Sequence, residues 1–152
     1  MFPEKFQIRI QSPFERKPVI HADCNADRAL ALYAAIDWAA LWRTIEASMS
    51  SQESDYYYYE ISQSLTLGER SGEDATLTIS GWYKTTQVCV GLDRSKKVLR
   101  GFFTKKEVME SYFGVQMDHV EIPFAAQCLQ AFIDGDDAFL AASLHDQEGD
   151  YE

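Results

Sequence analysis

Tyr56-Tyr57-Tyr58-Tyr59-Glu60-Ile61-Ser62-Gln63-Ser64-Leu65-Thr66-Leu67 alternates with a period of two. Tyr57, Tyr59, Ile61, Leu65 and Leu67 fall on one side, and Tyr56, Tyr58, Glu60, Ser62, Ser64 and Thr66 on the other. Successive side chains of a strand point to opposite sides of the pleat, so this pattern marks a half-buried strand. A polar connection, Gly68 to Asp74, leads to a second alternating run in which Leu77 and Ile79 point inward and Thr76, Thr78 and Ser80 outward. Lys84-Thr85 reads as a tight turn, Val88–Leu92 as a third strand, Asp93–Lys96 as a hairpin loop and Val98–Phe103 as a fourth strand. Short links between neighbours favour antiparallel pairing, so the centre of the chain is expected to be a meander. One face is apolar and must be covered. The other carries Tyr56, Tyr58 and Trp82, either as good strand formers or as a recognition surface.

Upstream, Lys5–Gln11 alternates Phe6, Ile8 and Ile10 with polar residues and predicts a first strand. Glu15–Ala22 reads as a loop or a short extended piece. Asn25 to Met49 is expected to be one long helix, with Asn25 as N-cap, Asp27 near the positive end of the dipole, and Trp38, Leu41, Trp42, Ile45 and Met49 at helical spacing. Downstream, Thr104-Lys105-Lys106-Glu107 fits a capping box, which predicts a short helix through Tyr112-Phe113 stopped by Gly114. Val115–Ile122 reads as a strand, and Pro123 suits the first turn of a further helix with Phe124, Cys128, Leu129 and Phe132 on its apolar side. Asp134-Gly135-Asp136-Asp137 ends that helix, and Asp136 or Asp137 caps a last one through Leu144. The expected class is α+β: one domain over 1–152, a mostly antiparallel sheet of about five or six strands against one long N-terminal helix, with short C-terminal helices. Residues 146–152 are expected to be a frayed acidic tail.

The chain of 152 residues is long enough for one core, and its 46% apolar content argues against disorder. No signal peptide is expected from Met1–Lys5, and the apolar segment around Ala29–Leu41 is too short and mixed for a membrane span. Three widely spaced cysteines, Cys24, Cys89 and Cys128, with no CxxC, suit reduced thiols in the cytoplasm. His21, His119 and His145 lack a zinc spacing, and the aspartates around Gly135 lack the ligand register of a calcium loop, so no metal and no cofactor is expected. Gly68–Gly72 has no phosphate-loop lysine, and no pair of titratable groups is placed for acid–base work.

Charge is the remaining signal. The net charge is −10, which argues against nucleic acid or an anionic membrane as a direct partner. Residues 1–50 balance, with six basic and six acidic side chains, whereas no lysine or arginine follows Lys106 and eleven carboxylates do. Clustered carboxylates steer a basic partner and can occupy a cationic site that normally grips phosphate.

A small acidic α+β domain with tyrosine-rich strands, an acidic C-terminal part and no catalytic motif resembles the bacterial toxin-immunity proteins, including those of contact-dependent growth inhibition. The resemblance implies a cytoplasmic, non-enzymatic inhibitor of a cognate basic toxin, often a nuclease. Asp118, Glu121, Asp134, Asp136 and Asp137 would then meet the toxin's basic cleft, with Tyr56, Tyr58 or Trp82 as anchors. The alternative is a small-molecule binder or enzyme with its site between the long helix and the sheet. A homo-oligomer assembled through the tyrosine face is a third reading.

Overall fold

A computed structural model describes residues 6–12, 17–47, 57–64, 73–81, 87–104 and 106–144. Tyr56, Leu65, Leu67, Trp82, the turn at Lys84-Thr85 and the acidic tail lie outside the described residues.

The chain folds as α+β. Its described strands are β1 (Phe6–Gln11), β2 (Val19–Cys24), β3 (Tyr57–Ser64), β4 (Glu73–Gly81), β5 (Gln87–Arg100) and β6 (Lys106–Glu121). They form one sheet in the order β2-β1-β3-β4-β5-β6, with every pair antiparallel. The tyrosine run sits in the middle of this sheet. Tyr57, Tyr59 and Ile61 are buried, level with Gly81, Ile79 and Leu77 of β4. Phe6 and Ile8 of β1, and Val88, Val90 and Leu92 of β5, extend the same apolar layer.

Among the described residues four helices follow or interrupt the strands: α1 (Ala26–Ala34), α2 (Trp38–Ala47), α3 (Ile122–Asp134) and α4 (Asp137–Ser143). α1 is locked to the sheet where the Tyr59 hydroxyl donates to the Ala29 carbonyl at 2.8 Å. The Tyr33 ring stands edge-on to Tyr59, 5.1 Å between centroids, and Trp38 packs on Tyr57 at 5.6 Å. Such pairs add to area burial because ring edges and faces carry opposite partial charge. α3 contributes Ala125, Cys128, Leu129 and Phe132 to the core, and Phe132 meets Phe6 of β1.

The expected long helix is two helices. Asn25 caps α1 as anticipated, its side chain accepting from the Arg28 amide at 2.8 Å. The helix then stops at Ala35, and Asp37 restarts it by accepting from the Ala40 amide at 3.0 Å. A short carboxylate satisfies the free amides of a new first turn, which an uninterrupted helix would not need. The piece around Val19-Ile20, read as loop or extended, is the edge strand β2.

The larger correction concerns residues 93–114. Asp93–Lys96 is not a hairpin loop: Asp93 and Arg94 pair with Gly114 and Phe113 inside the 14-residue β5. Nor does Thr104 open a helix, since Lys106–Glu121 is a single 16-residue strand and Gly114 sits within it. The chain turns at Gly101–Thr104. Backbone pairing along both arms of this hairpin, from Arg100↔Lys106 to Gln87↔Glu121, overrides the local capping signal. Among the described residues, β4 accompanies β5 as far as Glu73↔Lys96. Beyond that row no third strand joins the hairpin among the described residues, and this part of it is the β5–β6 arm.

Candidate functional site

The sequence-predicted residues separate into two groups. Asp134, Asp136 and Asp137 form an exposed corner at the α3–α4 junction. α3 ends with Gly135 in the left-handed region at φ 72°, which glycine adopts without steric cost. The Gly135 amide bonds the Phe132 carbonyl at 3.2 Å and the Asp136 amide bonds Ala131 at 2.8 Å, the pairing of a Schellman turn. Asp136 then caps α4 by accepting from the Phe139 amide at 3.1 Å. Asp137 accepts from Arg94 at 2.9 Å, and Asp134 accepts from Gln130 at 3.0 Å. The corner is therefore held by backbone and side-chain bonds together, and Arg94 neutralises one of its charges.

Asp118 and Glu121 lie elsewhere, on β6. Glu121, at the end of the strand, accepts from Gln87 at 2.9 Å. Asp118 lies in a bulge where the register slips between Val88 and Val90, so that Asp118 and His119 stand opposite Cys89. His119 takes a positive φ of 60° there. Asp118 accepts from Gln116 at 3.2 Å and faces Cys89 on the side of the sheet away from the helices, so it does not belong to the α3–α4 corner. Tyr58 is half-buried on that same open side, level with Ser80 and Gln11.

Cysteine, aspartate and histidine meeting at the bulge suggest a nucleophile, but the electrostatics run the other way. Burial first, and then the Asp118 carboxylate, push the Cys89 thiol up to about 11. A reactive cysteine needs the opposite, a neighbour that stabilises the thiolate. Cys128 is likewise raised to about 11 by burial in the core. All three cysteines are buried and unbridged. Among the described residues no three His, Cys, Asp or Glu side chains are grouped to hold a metal ion. No helix among them is long and apolar enough to cross a membrane.

Two features go beyond the residues singled out in the sequence, the first of them in the region between the N-terminal helical segment and the sheet that the alternative reading named. The first is a cleft of about 360 Å³ at the α1–α2 elbow, where Ile36, Asp37, Trp38 and Leu41 face Ile10, Tyr57 and Tyr58. The Trp38 indole nitrogen is buried without a hydrogen-bond partner among the described residues, and so is the Tyr57 hydroxyl, which lies over Gly81 of β4. Burial pushes the Tyr57 hydroxyl up to about 12, so it stays a proton donor at neutral pH. The second is the β5–β6 arm. Phe102 and Phe103 at its turn are 94% and 96% exposed, in contact with each other at 5.3 Å between centroids. Six basic residues lie between Arg94 and Lys106 with no carboxylate among them, a local reversal hidden in the chain's overall charge.

No protein family, curated protein or solved structure matches this chain.

Proposed function

We propose that the chain is a non-enzymatic binding protein, an immunity protein that neutralises a basic toxin domain of nuclease type in the bacterial cytoplasm. The observation that carries this reading is the acidic α3–α4 corner. Its carboxylates are exposed yet fixed in place by a Schellman turn, a helix cap and the Arg94 ion pair. Fixed like charges raise association rates with a cationic cleft at little ordering cost on binding. Asp118 and Glu121 would form a second contact region on β6, with Tyr58 on the open face. The test is association kinetics with any basic protein found encoded beside this one. Asp134, Asp136 and Asp137 are replaced together by asparagine, which still caps α4. Association should slow by on the order of tenfold at low ionic strength and converge with wild type at high salt. An unchanged on-rate at low salt would remove the corner from the interface.

A second reading rests on the elbow cleft, whose volume falls within the range of small-molecule sites. Its apolar walls, with the buried Trp38 indole as a donor, suit a flat apolar ligand carrying a hydrogen-bond acceptor. A thermal-shift screen across aromatic carbonyl and carboxylate compounds tests it, since a ligand that binds only the folded state raises the melting temperature. No shift with any compound at millimolar concentration would count against this reading.

A further inference from the structure

We infer that the turn of the β5–β6 arm docks on an anionic lipid bilayer, with the Phe102 and Phe103 rings entering the interface and the flanking cations meeting lipid phosphates. Both rings stand almost wholly in water at the turn Gly101–Thr104, so no side chain walls them in. Leu99, Val108 and Met109, further back on the two strands, are exposed as well. Of the eight large hydrophobic residues left exposed among the described residues, six lie between Leu99 and Phe113. Apolar surface gathered in this way marks an interaction site. Base stacking on a single-stranded nucleic acid would use the two rings but not the aliphatic side chains behind them, whereas a bilayer takes both.

The charge around the turn selects the surface. Arg94 is tied to Asp137, and Lys96 faces Glu110 in the register. Nearer the turn the sequence places Lys97, Arg100, Lys105 and Lys106 against the single carboxylate of Glu107. Arg100 and Lys106 occupy directly opposite positions, in the pair next to the turn. Like charges directly opposite each other destabilise a strand pair. That cost is retained beside two exposed rings, and an anionic surface removes it. The depths agree too. Interfacial side chains bury about 5–10 Å into the headgroup and acyl boundary, which suits rings at the tip with cations one row behind. Long basic side chains then keep their charge at the phosphates while their stems lie along apolar surface.

The chain as a whole carries −10 and an anionic bilayer repels it, but screening makes that repulsion local, with a Debye length of about 8 Å at physiological salt. The acidic α3–α4 corner is tied to β5 at Arg94, six strand residues before Arg100, or about 20 Å back from the turn. The tip therefore meets the surface while the corner is largely screened from it.

The test is co-sedimentation of the full chain with unilamellar vesicles at physiological ionic strength. Wild type should bind vesicles of equal parts phosphatidylcholine and phosphatidylglycerol, and not vesicles of phosphatidylcholine alone. Phe102→Ser/Phe103→Ser should lower the partition constant by more than about tenfold. Arg100→Gln/Lys106→Gln should lower it by about ten- to thirtyfold, while the melting temperature stays the same or rises, because the opposed cations are gone. Phe103→Cys carrying an environment-sensitive fluorophore reports insertion directly, since Cys24, Cys89 and Cys128 are buried from the label. Its emission should shift to the blue on the mixed vesicles. No binding up to millimolar lipid overturns the proposal, as does binding that ignores the phenylalanine variant, equal binding to phosphatidylcholine alone, or a label that stays in water on sedimented protein. Displacement from the vesicles by a single-stranded oligonucleotide or by polyglutamate at equal charge would reveal a general polyanion site and overturn it too.

Discussion

Gly81→Ala should destabilise this protein, although the same exchange in a strand is ordinarily helpful. Alanine restricts the unfolded chain and would contribute about 0.4–1 kcal/mol in favour of folding where the site has room. Gly81 has none. It lies directly across from Tyr57 in the β3–β4 ladder, and a Cβ there would fall within the outer edge of the Tyr57 ring. The ring is fully buried and held against Trp38, so it cannot swing aside without opening the core. Overpacking of this kind costs about 1–3 kcal/mol, leaving a net loss of roughly 1–2 kcal/mol after the entropic gain. In a domain of this length that is a fall of about 2–8 °C in melting temperature. Urea denaturation would show a lower midpoint with an unchanged slope. The cycle with Tyr57→Leu isolates the cause. Once the ring is gone, Gly81→Ala should turn neutral or mildly stabilising, a coupling of at least about 1 kcal/mol. If Gly81→Ala is as harmful in the Tyr57→Leu background as in wild type, the clash is not the reason.

Asp37→Ala removes the cap that restarts the helix at Trp38 and should cost about 1 kcal/mol; equal stability in a denaturant melt would show that the elbow does not depend on it. Stability should also decline on the alkaline side. Cys89 and Cys128 titrate near 9 when unfolded and near 11 when folded, so the native state holds its protons longer. Their contribution is complete below pH 9 and is lost as pH rises towards 11, on the order of 2 kcal/mol per thiol. Tyr57, raised from 10 to about 12, adds a further loss above pH 10. Urea midpoints at pH 8 and pH 10.5 measure the decline, and equal values would contradict it.

The centre of the fold was legible because burial there is one-sided. Tyr57, Tyr59, Ile61, Leu77 and Ile79 alternate with polar residues, and the structure buries all of them. The α3–α4 junction was legible too, because Pro123, Gly135 and Asp136 each have one dominant local preference, and each is used in that way. The arm was not legible, for a physical reason. Where no third strand among the described residues pairs with a hairpin, its two faces need not separate into apolar and polar. Val98 pairs with Val108 and Lys96 with Glu110 in adjoining positions, so the alternation that reveals a buried strand is missing. A capping box then supplied the strongest local cue at Thr104–Glu107, and non-local pairing overruled it. The elbow at Asp37 was hidden because an aspartate on the polar side of an alanine-rich helix looks the same whether it decorates one helix or begins another. The acidic positions were readable as charge but not as a surface, since their placement depends on a bulge at Cys89 and on which side of the sheet α3 crosses.

The strand order also governs how the chain assembles in time. From β3 onward each strand pairs with its successor, and β1 pairs with β2, so these contacts are close in sequence and quick to form. One pairing is different. β1 joins β3, Ile8 against Ile61, across a connection that contains β2, α1 and α2. Closing that loop costs more chain entropy than closing any of the shorter hairpins, though the cost grows only slowly with length. The β3–β6 meander and the segment from β1 through α2 are thus two pieces that can each begin to organise alone. Their meeting at the β1–β3 seam, where Tyr59 reaches the carbonyl of Ala29, completes the core.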